Sequence, residues 1–211
     1  LARRLVGTIP DERVVPLGDL VADETIVVTL ELVSDKSADR LLESLTDITP
    51  GERGEILKDA VASGHYTGNE LSRLHVALIE LLPEDPGVHR DYGSLLLGEG
   101  DYEAALSMAE RANSLRPKDA DSQFLSGRIL IKLRRIDEAE RAFIRAVASD
   151  DTNAQYFNGI GYANSQLGRS DRALSAYRMA LHRDPGNGFA LFNTAVELNL
   201  RGDYEIAAVR F

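Results

Sequence analysis

One spacing constrains this chain more than any other feature: small residues recur every 34 positions. Gly93, Gly127, Gly161 and Ala195 form one column, and Ala105, Ala139, Ala173 and Ala207 form a second. Ala112, Ala146 and Ala180 make a third, and Ala109, Phe143, Tyr177 and Phe211 a fourth. Pro117, Asp151 and Pro185 make a fifth, which Pro83 extends backwards. Five columns with one period define a repeated unit. A unit of this length cannot bury its apolar face alone and stacks on copies of itself.

Each column has a physical task. The Gly or Ala near the middle of a first helix lets a neighbouring helix approach closely, and the Ala early in the second helix does the same from the other side. The aromatic fills the gap between successive helix pairs, with the next Ala beside it. Proline ends the second helix, because it lacks an N–H and restricts the residue before it. The turns Gly100-Asp101-Tyr102, Gly168-Arg169-Ser170 and Gly202-Asp203-Tyr204 join the helices, and glycine suits the left-handed conformation that ends a helix. The apolar content is mostly Ala and Leu, which lose little side-chain freedom in helices.

This pattern resembles the tetratricopeptide repeat (TPR) family. The resemblance covers about three quarters of the chain. It implies an all-α, right-handed superhelical solenoid of antiparallel helix pairs. Full repeats fall at 86–119, 120–153 and 154–187, and a truncated repeat at 188–211 stops midway through its second helix. An imperfect repeat fits 52–85: Leu71, His75, Leu78 and Pro83 occupy second-helix columns, while Asp59 stands where the first helix would carry a small residue. The solenoid is thus expected over 52–211, after an irregular N-terminal cap, domain remnant or linker over 1–51. Within that first region, Thr25 to Val33 is rich in Val, Ile and Thr and reads as a strand. Asp23 as an N-cap would make 24–33 a helix instead. Ser37 to Asp47 is predicted helical, with Leu41, Leu42 and Leu45 on one face. The last residue, Phe211, is an aromatic core position without a polar capping helix, and the first is not Met. Truncation is therefore expected at the C-terminus, and the start leaves room for a missing leader.

Charge and motifs exclude several kinds of chemistry. A net charge of −10 and a pI near 4.9 oppose general binding to nucleic acid or to an anionic membrane. The run Ile26 to Val33 is interrupted by Thr29 and Glu31 and is far too short to span a bilayer. Without Cys there is no disulfide or thiolate site. His65, His75, His89 and His182 lack ligand spacing, so no metal is expected. Gly159 and Gly161 lack the third glycine of a dinucleotide loop, which arrives at 168 and not at 164. No P-loop or nucleophile elbow occurs. Acidic pairs such as Asp150-Asp151 and Glu138 with Glu140 read as solvated surface. The expectation is a chain with no cofactor and no catalytic residue.

The resemblance implies that first helices line a concave groove. In the first full repeat the matching positions are Arg90, Ser94 and Leu97, and in the second Phe124, Arg128, Ile131 and Lys132. The third supplies Gln155, Asn158, Tyr162 and Gln166, and the fourth Phe189, Phe192, Val196 and Asn199. Aromatics give burial, amides can bond a peptide backbone, and Arg can fork a carboxylate. Packing against neighbouring repeats is the competing role for each. The clamp that some family members close on acidic chaperone tails needs an Asn where Leu125 or Gly159 stands, so that subtype is not expected.

The stretch Asn158-Gly159-Ile160-Gly161, with Leu167-Gly168-Arg169, Ala176-Tyr177-Arg178, Pro185-Gly186-Asn187 and Asn193, also looks like the TadD-type proteins of tight-adherence pilus assembly. The expected function is a non-catalytic scaffold that binds a peptide or partner protein, with pilus or secretion-complex assembly in the cell envelope as the narrower form. The alternative is the accessory region of a larger enzyme, such as a glycosyltransferase or a peptidase. Self-association through the uncapped end is a third mode. Envelope, periplasm and cytoplasm all fit the composition.

Overall fold

The computed structural model describes residues 37–202, and their regular structure is entirely helical. The strand-or-helix alternatives over 24–33, and the last column members Ala207 and Phe211, lie outside the described residues. The chain divides into two compact units between Pro83 and Glu84.

The first unit contains α1 (Ala38–Ser44), α2 (Pro50–Ala62) and α3 (Gly68–Leu81). Ser37 caps α1 by accepting from the Arg40 N–H. The helix is shorter than the expected 37–47, because the chain tightens after Ser44: the Thr46 N–H reaches Glu43 O and the Ile48 N–H reaches Leu45 O. Both are three-residue bonds, which α-helical geometry does not continue. The Ala38 N–H donates to Glu70 Oε2 at 2.5 Å, and Arg73 pairs with Asp39, so α1 is tied to α3. Thr49 caps α2 and exchanges bonds with Glu52, with Pro50 in the first turn; this reciprocal pattern is a helix-start device. Leu41, Leu45, Leu57, Tyr66, Leu74 and Leu78 are buried. The close approach in α2 runs through Gly54, where a Cβ would lie 3.4 Å from Leu82, while Asp59 is exposed.

The second unit holds α4 (Pro86–Glu99), α5 (Tyr102–Leu115), α6 (Ala120–Lys132), α7 (Ile136–Ser149), α8 (Ala154–Gln166), α9 (Ser170–Arg183) and α10 (Gly188–Arg201). Each first helix starts on a capping residue at the 34-residue spacing: Asp85, Asp119, Asn153 and Asn187. Their side chains accept from the backbone N–H of Gly87, Ser122, Gln155 and Ala190. Such a cap is worth about 1 kcal/mol. Between the paired helices, Gly100 and Gly168 take positive φ of 87° and 70°, and Gly202, which caps α10, takes 79°. The α6–α7 turn does the same with Arg134 at φ 61°, which is why no glycine marks that turn in the sequence.

The alanine columns are completely buried: Ala105, Ala139, Ala173, Ala112, Ala146 and Ala180 show no exposure. Phe143 is held between two glycines. A Cβ on Gly159 would stand 2.8 Å from its ring, and one on Gly127 closer still. Gly161 meets the Tyr177 ring in the same way. The pairs α4–α5, α6–α7 and α8–α9 pack together, and each second helix packs on the next first helix. First helices also touch one another, α4 on α6, α6 on α8 and α8 on α10, while second helices make no comparable contact. A stack closer on one side curves toward that side, so the first helices line the concave face.

Candidate binding groove

On α4, Arg90 is half-buried and turned toward carboxylates. It lies 3.5 Å from Asp119, the cap of α6, and 3.2 Å from Asp91. Burial alone would lower its pKa, but Asp91 and Asp119 more than offset that and raise it. Arg90 therefore stays charged and braces one helix start against its neighbour. Ser94 is exposed, and Leu97 is buried in the core shared with Leu125, Ile129 and Phe143.

On α6, Phe124 is half-buried, with its ring 5.5 Å from Phe143 and 5.1 Å from Tyr156. The Tyr156 hydroxyl donates to Asp121 Oδ1 at 2.6 Å. Burial first, and then the Asp121 carboxylate, push that phenol far above its ordinary range. Ile131 packs against the same core. Arg128 and Lys132 are exposed. Neither pairs with a carboxylate among the described residues.

On α8, Asn158 is half-buried and accepts from Asn193 Nδ2 on α10 at 3.0 Å. Tyr162 is 39% exposed, and Gln155 and Gln166 are exposed. On α10 the row turns apolar. Phe189 is 71% exposed, Phe192 68%, Val196 40% and Leu200 71%. Asn199 is exposed beside them. Leu200 was not singled out by the family positions; its signal was the helical step of four from Val196.

The structure thus separates the groove positions by role. Arg90, Leu97, Phe124, Ile131 and Asn158 have partners inside the stack. Ser94, Arg128, Lys132, Tyr162, Gln166, Phe189 and Phe192 face outward. Along the stack the open positions run from basic on α6, through amide and phenol on α8, to apolar on α10. No group of three or more His, Cys, Asp or Glu able to hold a metal occurs among the described residues. No described helix is long and apolar enough to cross a membrane.

Two tetratricopeptide repeat family models match the chain, one over residues 96–160 and one over 154–187. Human protein O-mannosyl-transferase TMTC3 is 24% identical over 128 residues, which is 60% of this chain and only 14% of that protein. A crystal structure of MamA is 19% identical at a TM-score of 0.67, covering 76% of this chain and 89% of that one. MamA from Desulfovibrio magneticus RS-1 is 19% identical at 0.60, covering 87% and 91%. YrrB, described as a TPR protein with an unusual peptide-binding site, is 19% identical at 0.56, covering 86% and 88%. At these identities the structures share the fold: an all-α solenoid of helix pairs.

Proposed function

Over its repeat region the chain belongs to the tetratricopeptide repeat family, and on that premise we propose a non-catalytic scaffold that takes a peptide or partner-protein segment along its first helices. The observation that carries this reading is the row of outward-facing first-helix positions, Arg128 and Lys132 on α6, Tyr162 and Gln166 on α8, ending in the apolar Val196 and Leu200 on α10. Contiguous exposed apolar surface marks interaction sites. At the other end of the row, Arg128 and Lys132 carry charge with no carboxylate on them among the described residues. The segment that fits has acidic residues toward α6 and apolar ones toward α10. Likeness to YrrB, with its peptide-binding site, supports a peptide-sized ligand. The array is read as 52–211, with 1–51 as its irregular cap.

Selection of a random peptide library on the purified chain tests the reading, with affinities of selected peptides measured by fluorescence anisotropy. Winning peptides are expected to pair acidic with apolar residues and to lose about tenfold or more in affinity when Arg128 and Tyr162 are both changed to Ala. Unchanged affinity in a folded double variant would sink the groove assignment. A role in envelope pilus or secretion-complex assembly is the narrower form, supported by the Asn158 to Asn193 resemblance alone.

A second reading is favoured by one finding. The human transferase matches this chain over only 14% of its length, as an accessory repeat region of a larger enzyme would. Sequencing the complete reading frame separates the two: a catalytic domain joined to this segment would favour the accessory role.

A further inference from the structure

We propose a second binding site on the opposite side of the array: a cleft between α5, α6 and α7 that takes an acidic peptide segment. The cleft holds about 640 Å³. Its floor is Gln123, Ser126 and Leu130 on α6, all buried, with Leu106 on α5 beside them. On the helical wheel these α6 residues lie across the helix from the groove positions Phe124, Arg128 and Lys132. The place follows from the curvature: second helices splay apart where first helices converge, and the gap between α5 and α7 opens outward.

The rim is set by α7, which contributes Glu138, Arg141 and Arg145, and by Arg135 at its N-cap. Arg135 forks onto Glu138 with two bonds of 2.7 Å, so that pair is internally neutral. Arg141 bonds only its own helix, with Nε on the Asp137 carbonyl at 3.3 Å. Arg145 meets no carboxylate among the described residues. Glu110 is the one other acid on the lining. Two cations therefore stand one helical turn apart on an exposed face, an arrangement that is unfavourable in an isolated helix.

The repeat framework does not ask for this pair. The matching residues in the preceding repeat are Ser107 and Arg111, and in the following one Ser175 and Met179. Arg111 is bound by Glu84 at 2.6 Å. The middle repeat presents two guanidinium groups over this cleft with no carboxylate bonded to either among the described residues, in a chain whose net charge is −10. That overall charge does not cancel the local field, because screening acts beyond about 8 Å at physiological salt.

The floor says what kind of anion fits. Its polar groups are already used: Gln123 donates to Pro117 O and accepts from Ser149 at 3.0 Å. Ser126 donates to Ser122 O at 3.1 Å and accepts from Asn113 at 2.8 Å. Leu106 and Leu130 add apolar surface. Recognition then rests on the two guanidinium forks, which match carboxylates in bidentate geometry, over a floor that tolerates an extended chain. Side-chain carboxylates of a peptide satisfy both demands.

A fluorescein-labelled peptide of alternating glutamate and alanine tests this by anisotropy on the full chain at physiological ionic strength, beside a twin with glutamine for glutamate. Saturable binding of the glutamate peptide is expected, weakened about tenfold or more by R141Q/R145Q and by the glutamine twin, and left within about twofold by the charge-matched R172Q/R178Q on α9. R145K alone keeps the charge but loses the fork, and is expected to weaken binding severalfold. Circular dichroism of each variant checks that helicity is retained. No binding of the glutamate peptide, equal binding by R141Q/R145Q, an equal loss of binding in R172Q/R178Q, or displacement by an equal concentration of inorganic phosphate would each overturn the proposal.

Discussion

The α6 and α10 ends of the groove carry phenylalanine at the same repeat position, and the two side chains meet opposite fates. Phe124 on α6 packs its ring, tilted, against those of Phe143 and Tyr156. Phe192 on α10 is 68% exposed. The residue that covers Phe124 comes from the following first helix: Tyr156, anchored by its hydroxyl on Asp121. At the matching position on α10 stands Ala190, small and buried, so Asn158 on α8, 32 positions before it, receives no ring from that position. Phe124 is thus packing surface because of a residue 32 positions later, outside the repeat columns.

The largest way to break this comparison lies beneath Phe124. Phe143→Ala removes a ring that is 2% exposed and clamped between Gly127 and Gly159. The expected cost is about 3–5 kcal/mol in urea denaturation, against no more than about 0.5 kcal/mol for Phe192→Ala. Similar costs for the two would mean that the ends of the groove do not differ as described. Gly127→Ala attacks the same clamp from the other side. The added methyl would collide with a ring that Gly159 prevents from retreating, and a loss of about 1–3 kcal/mol is expected from overpacking.

The Gly127 side of the clamp was legible in the sequence, because close approach of backbones tolerates only small residues and that demand repeats with the unit; Gly159 belongs to no column and was not. Gly127, Gly161 and the buried alanines announced themselves for this reason. The capping row Asp85, Asp119, Asn153 and Asn187 repeats as regularly but passed unread, since Asp and Asn are common on surfaces and the pattern emerges only once helix starts are fixed. The role of Phe124 was not legible, because it depends on Tyr156, which belongs to no column. Arg90 was hidden similarly: its brace to Asp119 depends on where α6 begins. The left-handed turn at Arg134 ran against the glycine rule and left no mark.

A sharper test addresses the cover itself. Phe124→Ala is expected to cost about 2 kcal/mol, short of a fully buried ring because Phe124 is half-buried. Tyr156→Phe keeps the ring and removes only the bond to Asp121, at about 1 kcal/mol. Combining Phe124→Ala with Tyr156→Ala in a double-mutant cycle is expected to give a coupling of about 0.5–1.5 kcal/mol, since the rings are 5.1 Å apart. Additive losses would show that Tyr156 does not support Phe124.

The smallest expected effect on stability falls at the open end. Phe189 and Phe192 are 71% and 68% exposed, so replacing both with Ser removes little buried surface, and the unfolding midpoint is expected to move by no more than about 0.5 kcal/mol equivalent. The same double change would remove two rings from the face read as the ligand's apolar anchor. Peptides selected on the parent chain are then expected to lose more affinity to Phe189→Ser/Phe192→Ser than to Phe124→Ala, measured by anisotropy on proteins of equal helicity. That ordering is the reverse of the stability ordering, and packing alone cannot generate it. A stability loss near that of Phe124→Ala would show that these rings are covered in solution, and would remove the distinction between the two ends.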